Sequence, residues 1–159
     1  IENFMLSLGT LLGIIDSDPK LSLKPPFIRY LSEVGFIELG DLTITGIPGE
    51  LYPEIAVGGI ENPQGADYSI TPQEIPHLWS QLPGKLNLMV NLANDAIGYI
   101  IPKSEWDEEA PWIYGENEET YGEVVSLGPD TAIIIHQNII KLIEDSNHEL
   151  KKINNNEQN

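Results

Sequence analysis

Apolar residues fall along the chain in short, separated groups, and their spacing predicts a mixed fold. Phe4–Ile15 is a nearly continuous apolar run that reads as a helix or a buried segment, ended by the turn chemistry of Asp16-Ser-Asp-Pro19. Phe36–Leu39 and Leu42–Ile47 read as the two strands of a hairpin, with Gly40-Asp41 as the tight turn between them. Residues 58–84 are punctuated by glycine and proline and read as a long connection, with a short helix around Gln73–Gln81. Leu86–Leu92 is a compact apolar run that predicts a buried strand, ending at Ala93-Asn-Asp95.

The acidic, aromatic stretch from Ser104 to Glu119 reads as a loop lying against the surface. Gly128-Pro129-Asp130 then opens the clearest helix, with proline at its first position and an acid in its first turn. Ala132, Ile133, Ile135, Ile139, Ile140, Leu142 and Ile143 form a broad apolar stripe suited to covering a sheet. From Asp145 the chain is polar and is expected to fray. No internal repeat is visible. The expected fold class is α/β: a partial sheet with covering helices, resembling part of an α/β/α sandwich.

Composition narrows the function classes. The 159 residues carry 8 Lys+Arg against 25 Asp+Glu, a formal charge of −17, which repels phosphate backbones and argues against nucleic-acid binding. There is no cysteine, which removes disulfides, thiolate metal sites and cysteine nucleophiles. The apolar run at 4–15 contains Gly9 and Gly13 and lacks a basic flank, so it is read as neither a signal peptide nor a membrane span. A chain that begins at Ile1 and enters directly into apolar sequence is expected to be the interior of a longer protein.

Three stretches carry candidate chemistry. Ile47-Pro-Gly-Glu50 delivers a carboxylate at a sharp strand exit, because proline restricts one dihedral and glycine frees the next. The same glutamate reads equally well as an acid at the start of a short helix. Asn91-Leu-Ala-Asn94 leads from the apolar strand to Tyr99, where Asn94 can shape the exit turn. Tyr99 taken alone is more often a packing residue than a ligand. Tyr121 precedes Ser126-Leu-Gly-Pro-Asp-Thr131 at the entry of the long helix, where ordinary capping is by itself the better reading and anion binding the other.

In order and approximate spacing, these stretches resemble the last part of the neutral-ceramidase catalytic domain. The matching residues are Pro48-Gly49-Glu50, Leu92-Ala93-Asn94 with Tyr99, and Tyr121 followed by Gly128-Pro129-Asp130-Thr131. The resemblance spans roughly 36–143 and implies that residues 1–144 are part of one α/β hydrolase-like catalytic domain, incomplete at its N-terminus, with 145–159 as a polar tail. It also implies a secreted or periplasmic zinc hydrolase that cleaves the amide bond of a small amphipathic N-acyl substrate.

Glu50 and Tyr99 match two of the family's zinc ligands, and Tyr121 matches the tyrosine that stabilises charge on the attacked carbonyl. The remainder of the catalytic domain would supply two histidine ligands. No histidine precedes Glu50 here, and His77, His136 and His148 all follow it. Leu51-Tyr-Pro-Glu-Ile55 stands where the family has a basic helix, and Ala96 and Gly98 stand where it has a second tyrosine and a histidine. A non-catalytic relative acting as a binding or scaffold domain is the alternative, and an unrelated acidic α/β interaction module a third reading.

Overall fold

The computed structural model describes residues 20–21, 28–118 and 120–157. The stretches Phe4–Ile15 and Asp16–Pro19 lie outside these residues. The chain divides into two compact units, 1–33 and 34–159. In the first, β1 (Lys20–Leu21) and β2 (Ile28–Arg29) form a short antiparallel ladder.

The second unit is α/β. The expected hairpin forms from β3 (Gly35–Leu39) and β4 (Leu42–Gly46), paired antiparallel, with Gly40 at φ +62° in the turn. A left-handed residue at this position is what glycine accommodates without steric cost. The chain leaves β4 into β5 (Glu50–Leu51) and the short helix α1 (Pro53–Val57), which has proline at its start and ends at Gly58, φ +92°. Later, β6 (Leu86–Val90) joins the hairpin parallel to β4, giving the order β3-β4-β6. A second, two-stranded parallel sheet pairs β5 with β7 (Tyr99–Ile100). Helix α2 (Tyr121–Val124) and the long helix α3 (Thr131–Glu157) complete the unit.

The core sits where the strand exits meet α3. Ile47, Leu51, Ile55, Leu78, Leu82 and Ile100 pack against Ala132, Ile135, Ile139 and Ile143. These four helical positions recur every three or four residues, as one face of a 3.6-residue period requires. Full burial of each isoleucine contributes on the order of 1.5–3 kcal/mol from removed apolar surface. His136 lies in the same stripe, buried, with Nε2 2.8 Å from the Pro76 carbonyl oxygen. That bond explains how a polar ring is tolerated there.

Several expectations change. Leu86–Leu92 yields a strand over 86–90, but Leu86, Leu88 and Val90 are 60%, 45% and 45% exposed. Register explains it: three cross-strand rows, Gly35–Gly46–Val90, Ile37–Ile44–Leu88 and Leu39–Leu42–Leu86, share one face of the sheet. The opposite face carries Phe36, Thr43, Thr45 and Met89, and Thr43 and Thr45 are fully buried. The hydrophobic run marks a strand, and only the placement of α3 decides which face is covered.

The stretch 104–119 does not simply lie on the surface. Ser104, Glu105, Trp106 and Asp107 are buried around a 3-10 turn at Lys103–Glu105. Their polar groups bond backbone: Ser104 Oγ donates to the Glu61 carbonyl oxygen at 2.7 Å, and the Glu61 N–H donates to Glu105 Oε1 at 2.6 Å. The helix expected around 73–81 shrinks to a 3-10 turn at Leu78–Gln81, after the cis Ile75-Pro76 bond. Pro129 and Asp130 form the turn before α3, which begins at Thr131, a shift of the size by which helix ends are commonly displaced. The polar stretch after Asp145 continues α3 as helix through Glu157.

The two buried threonines of β4 generate opposite expectations. Thr43 Oγ1 is hydrogen-bonded to Asn87 Oδ1, whereas Thr45 Oγ1 is buried without a hydrogen-bond partner. Thr45→Val should raise stability by about 1 kcal/mol by removing an unsatisfied buried hydroxyl, and Thr43→Val should lower it by a similar amount. Urea unfolding of both variants measures the two signs.

Candidate functional site

The site begins with a close approach of two backbones. After β4, Ile47, Pro48 and Gly49 are buried, and the chain is clasped from the other side by residues 90–98. The N–H groups of Ile47 and Ala93 donate to the carbonyls of Val90 and Ile47, both at 2.9 Å. Ile97 N–H reaches the Pro48 carbonyl at 2.9 Å, and Glu50 N–H reaches the Gly98 carbonyl at 2.9 Å. A Cβ at Gly49 would collide with the Gly98 carbonyl oxygen, and one at Gly98 (φ +88°) would collide with the Val125 carbonyl oxygen. Both positions therefore require glycine for space, and Gly98 requires it for conformation as well.

This packing sets the register Glu50↔Tyr99 and Leu51↔Ile100 between β5 and β7. Directly paired residues of neighbouring strands project to the same side. The Glu50 carboxylate is the first cause, ahead of burial, of a Tyr99 pKa above the usual phenol value, so Tyr99 is held as the neutral phenol. Tyr99 N–H donates to the Val125 carbonyl at 3.3 Å, which ties β7 to the segment following α2. Tyr121, the first residue of α2, places its ring edge-to-face with Tyr99 at a centroid distance of 6.0 Å. Glu50, Tyr99 and Tyr121 thus come together.

Two further groups complete the cluster, and sequence reasoning did not single them out. Tyr52 also packs edge-to-face with Tyr99, centroid distance 6.2 Å, and its hydroxyl lies against α2 where Gly122 leaves room. Burial, followed by the negative charge of Glu123, pushes its pKa up to about 12. Glu123 is buried beside it, bonded to Thr120 Oγ1 and held above its usual carboxylate range by burial. A signal was present: Glu50 and Tyr52 stand two residues apart in an extended stretch, which puts them on one side.

The remaining candidates lie elsewhere. Asn94 adopts φ +69° in the turn after β6, a left-handed position that asparagine tolerates better than most residues. Asp130 pairs with Lys103, Nζ to Oδ1 2.6 Å. His77 Nδ1 accepts from the Ser80 N–H at 3.3 Å at the head of the 3-10 turn. His136 is bonded to Pro76, and His148 is on the exposed side of α3. Among the described residues no three His, Cys, Asp or Glu side chains are grouped to hold a metal ion. Chemically the cluster offers three phenols and two carboxylates, Glu50 at the strand-end edge and Glu123 buried beside Tyr52: acceptors flanked by hydroxyl donors.

Comparison with known proteins finds no matching family model, curated protein or solved structure. No helix among the described residues is long and apolar enough to cross a membrane.

The elevated phenol predicts a pH dependence. Because Tyr52 keeps its proton in the folded state above the unfolded value of about 10, the unfolded chain binds fewer protons between there and about 12. Its contribution is complete below pH ~10 and is lost as pH rises through that window. Tyr114, bonded to Glu61, is also pushed up to about 12, so ultraviolet titration of phenolate should show more than one late-ionising tyrosine, with one fewer in Tyr52→Phe, and the variant's stability should fall less steeply across the same range.

Proposed function

We propose that this chain is the C-terminal part of a metal-dependent hydrolase that cleaves an N-acyl amide bond, ceramidase-like in its site. Glu50 and Tyr99 are assigned as two of four zinc ligands and Tyr121 as the hydroxyl that stabilises the oxyanion. The observation supporting this reading is the convergence of these three side chains, distant in sequence, at one strand-end edge. A carboxylate and a phenol are suitable hard donors for zinc, and they make up half of a tetrahedral set. The other two are assigned to imidazoles from the remainder of the catalytic domain, since His77 and His136 are engaged away from the cluster.

When bound, zinc would supply a water of lowered pKa as the nucleophile. The chain's own residues have three tasks. Glu50 contributes negative charge at the metal position and accepts hydrogen bonds. Tyr52 and Gly122 hold the Tyr99 ring and α2 in register. The Tyr121 hydroxyl, on a largely exposed residue, is free to donate to a carbonyl oxygen as charge develops on it.

A second reading, a non-catalytic relative serving as a binding or scaffold domain, is favoured by Ala96 and Gly98, which stand where the family has a tyrosine and a histidine. The two separate by experiment in the longest native form of the protein. Glu50→Gln should lower zinc content and amidase activity together. Tyr121→Phe should leave zinc unchanged and reduce turnover by roughly 10²–10³, the cost of losing one oxyanion donor. Zinc is measured by mass spectrometry and turnover on short-chain and long-chain N-acyl substrates. A wild-type protein that binds no zinc and turns over none of these substrates removes the amidase reading and leaves the scaffold.

A further inference from the structure

Residues 61–67 and 104–113 are clasped together by two reciprocal sets of hydrogen bonds. At one end, Ser104 Oγ donates to the Glu61 carbonyl and the Glu61 N–H returns to Glu105 Oε1. At the other, the Asp67 N–H donates to the Trp106 carbonyl at 2.9 Å. The Asp67 carboxylate in turn accepts from the N–H groups of Glu108 and Glu109 at 2.7 and 3.2 Å. This clasp closes over two acids, Glu105 at 9% exposure and Asp107 at 0%.

The groups around the two carboxyls are acids and phenols. Glu54 of α1, Glu61 and Glu74 face Glu105, with the hydroxyls of Tyr52 and Tyr114 beside it. Asp67 and Glu123 of α2 face Asp107. Among the described residues no salt bridge reaches either acid, and Lys103, the cation next to them in sequence, is bonded to Asp130. Backbone donors do not make up the difference. Asp107 Oδ2 accepts the Ile113 N–H at 3.2 Å, but Asp107 Oδ1 is buried with no hydrogen-bond partner, and so is Glu54 Oε2. A buried oxygen left unpaired costs much more on an ionised carboxylate than on a neutral carboxyl.

We propose that Glu105 and Asp107 make this clasp a proton-operated latch, closed when their carboxyls are protonated and loosened when both are ionised. A proton is the neutraliser that requires no rearrangement of the side chains. Burial, the first cause, outweighs the N–H bonds from Glu61 and Ile113 and holds both carboxyls above the usual carboxylate range. The folded chain therefore binds more protons than the unfolded one just above ordinary carboxylate values. The clasp gains stability as pH falls through that window and loses it as pH rises. Glu123 passes the change to α2, because its carboxyl faces Asp107 and the Asp107 N–H. The latch thereby bears on where α2 holds Tyr121. The inference does not rest on the amidase reading, since backbone amides report it directly.

Amide hydrogen exchange on the full chain tests it at about pH 5 and about pH 8, corrected for the intrinsic pH dependence of exchange. Salt at about 0.5 M damps repulsion among surface carboxylates and leaves the buried ones little screened. The Glu61, Asp67 and Ile113 amides report the clasp, and the Ile139 and Ile143 amides in α3 serve as reference. Clasp protection should fall by ~10-fold or more from the lower pH to the higher, with the reference unchanged. Glu105→Gln and Asp107→Asn keep the shape without the charge and should each hold the clasp more protected at the higher pH. Glu118→Gln, at an exposed position, should respond as the wild type does. Equal clasp protection at both pH values overturns the proposal. So does parallel loosening of α3, which marks a global effect of charge, or an unchanged response in both buried-site variants. Reclosure at the higher pH by about 1 mM Ca²⁺ or Mg²⁺ also overturns it, because the neutraliser would then be a metal ion. The wild-type comparison decides by itself if a variant fails to fold.

Discussion

Everything at the candidate site depends on how closely two backbones pass at Gly49 and Gly98. With no Cβ on either residue, the exit of β4 lies against the turn before β7, and the Val125 carbonyl reaches the same point. Hydrogen bonds from Glu50 N–H to Gly98 and from Tyr99 N–H to Val125 then lock three separate segments together. Their consequence is a register, Glu50 opposite Tyr99, and a position for Tyr121 beside it. A side chain at either glycine would push the segments apart and dissolve the cluster without touching a candidate residue.

The second organising feature is the division of the main sheet into unlike faces. Helix α3 covers the face bearing Thr43 and Thr45, while the aliphatic rows look outward. The covered side tolerates threonine because Thr43 finds Asn87, and because Phe36 and Met89 join the aliphatic core beside them. The sheet therefore has a core on one side and an exposed aliphatic face on the other.

Electrostatics runs through the loops instead of the sheets. Glu105, Asp107 and Glu123 are buried, and burial is the first cause that raises the pKa of each. Backbone N–H groups compensate in part: Glu61 N–H donates to Glu105, and Ile113 N–H to Asp107 at 3.2 Å. These carboxylates fasten the 104–113 loop and α2 around Tyr52. The acidity of the chain is thus partly interior, in addition to the solvated surface that its composition suggests.

Local chemistry alone determined the elements whose signals lie within a few residues. The hairpin with its turn at Gly40-Asp41, the strand at 86–90, the helix following Gly128-Pro129-Asp130 and the placement of His136 in its apolar stripe follow from alternation, helical period and turn residues. The order of Pro48-Gly49-Glu50, Tyr99 and Tyr121 was equally legible, as was the freedom that Gly49 gives the strand exit. Their adjacency was implied by the resemblance but by no local pattern, because it depends on the contacts of Gly49 with Gly98 and of Gly98 with Val125, between segments that no local pattern relates. For the same reason the burial of Trp106 and the recruitment of Tyr52 and Glu123 escaped the sequence. The exposed face of Leu86–Val90 shows the limit most simply. A period of two tells which side chains share a side of a strand, and only the tertiary position of α3 tells which side is removed from water.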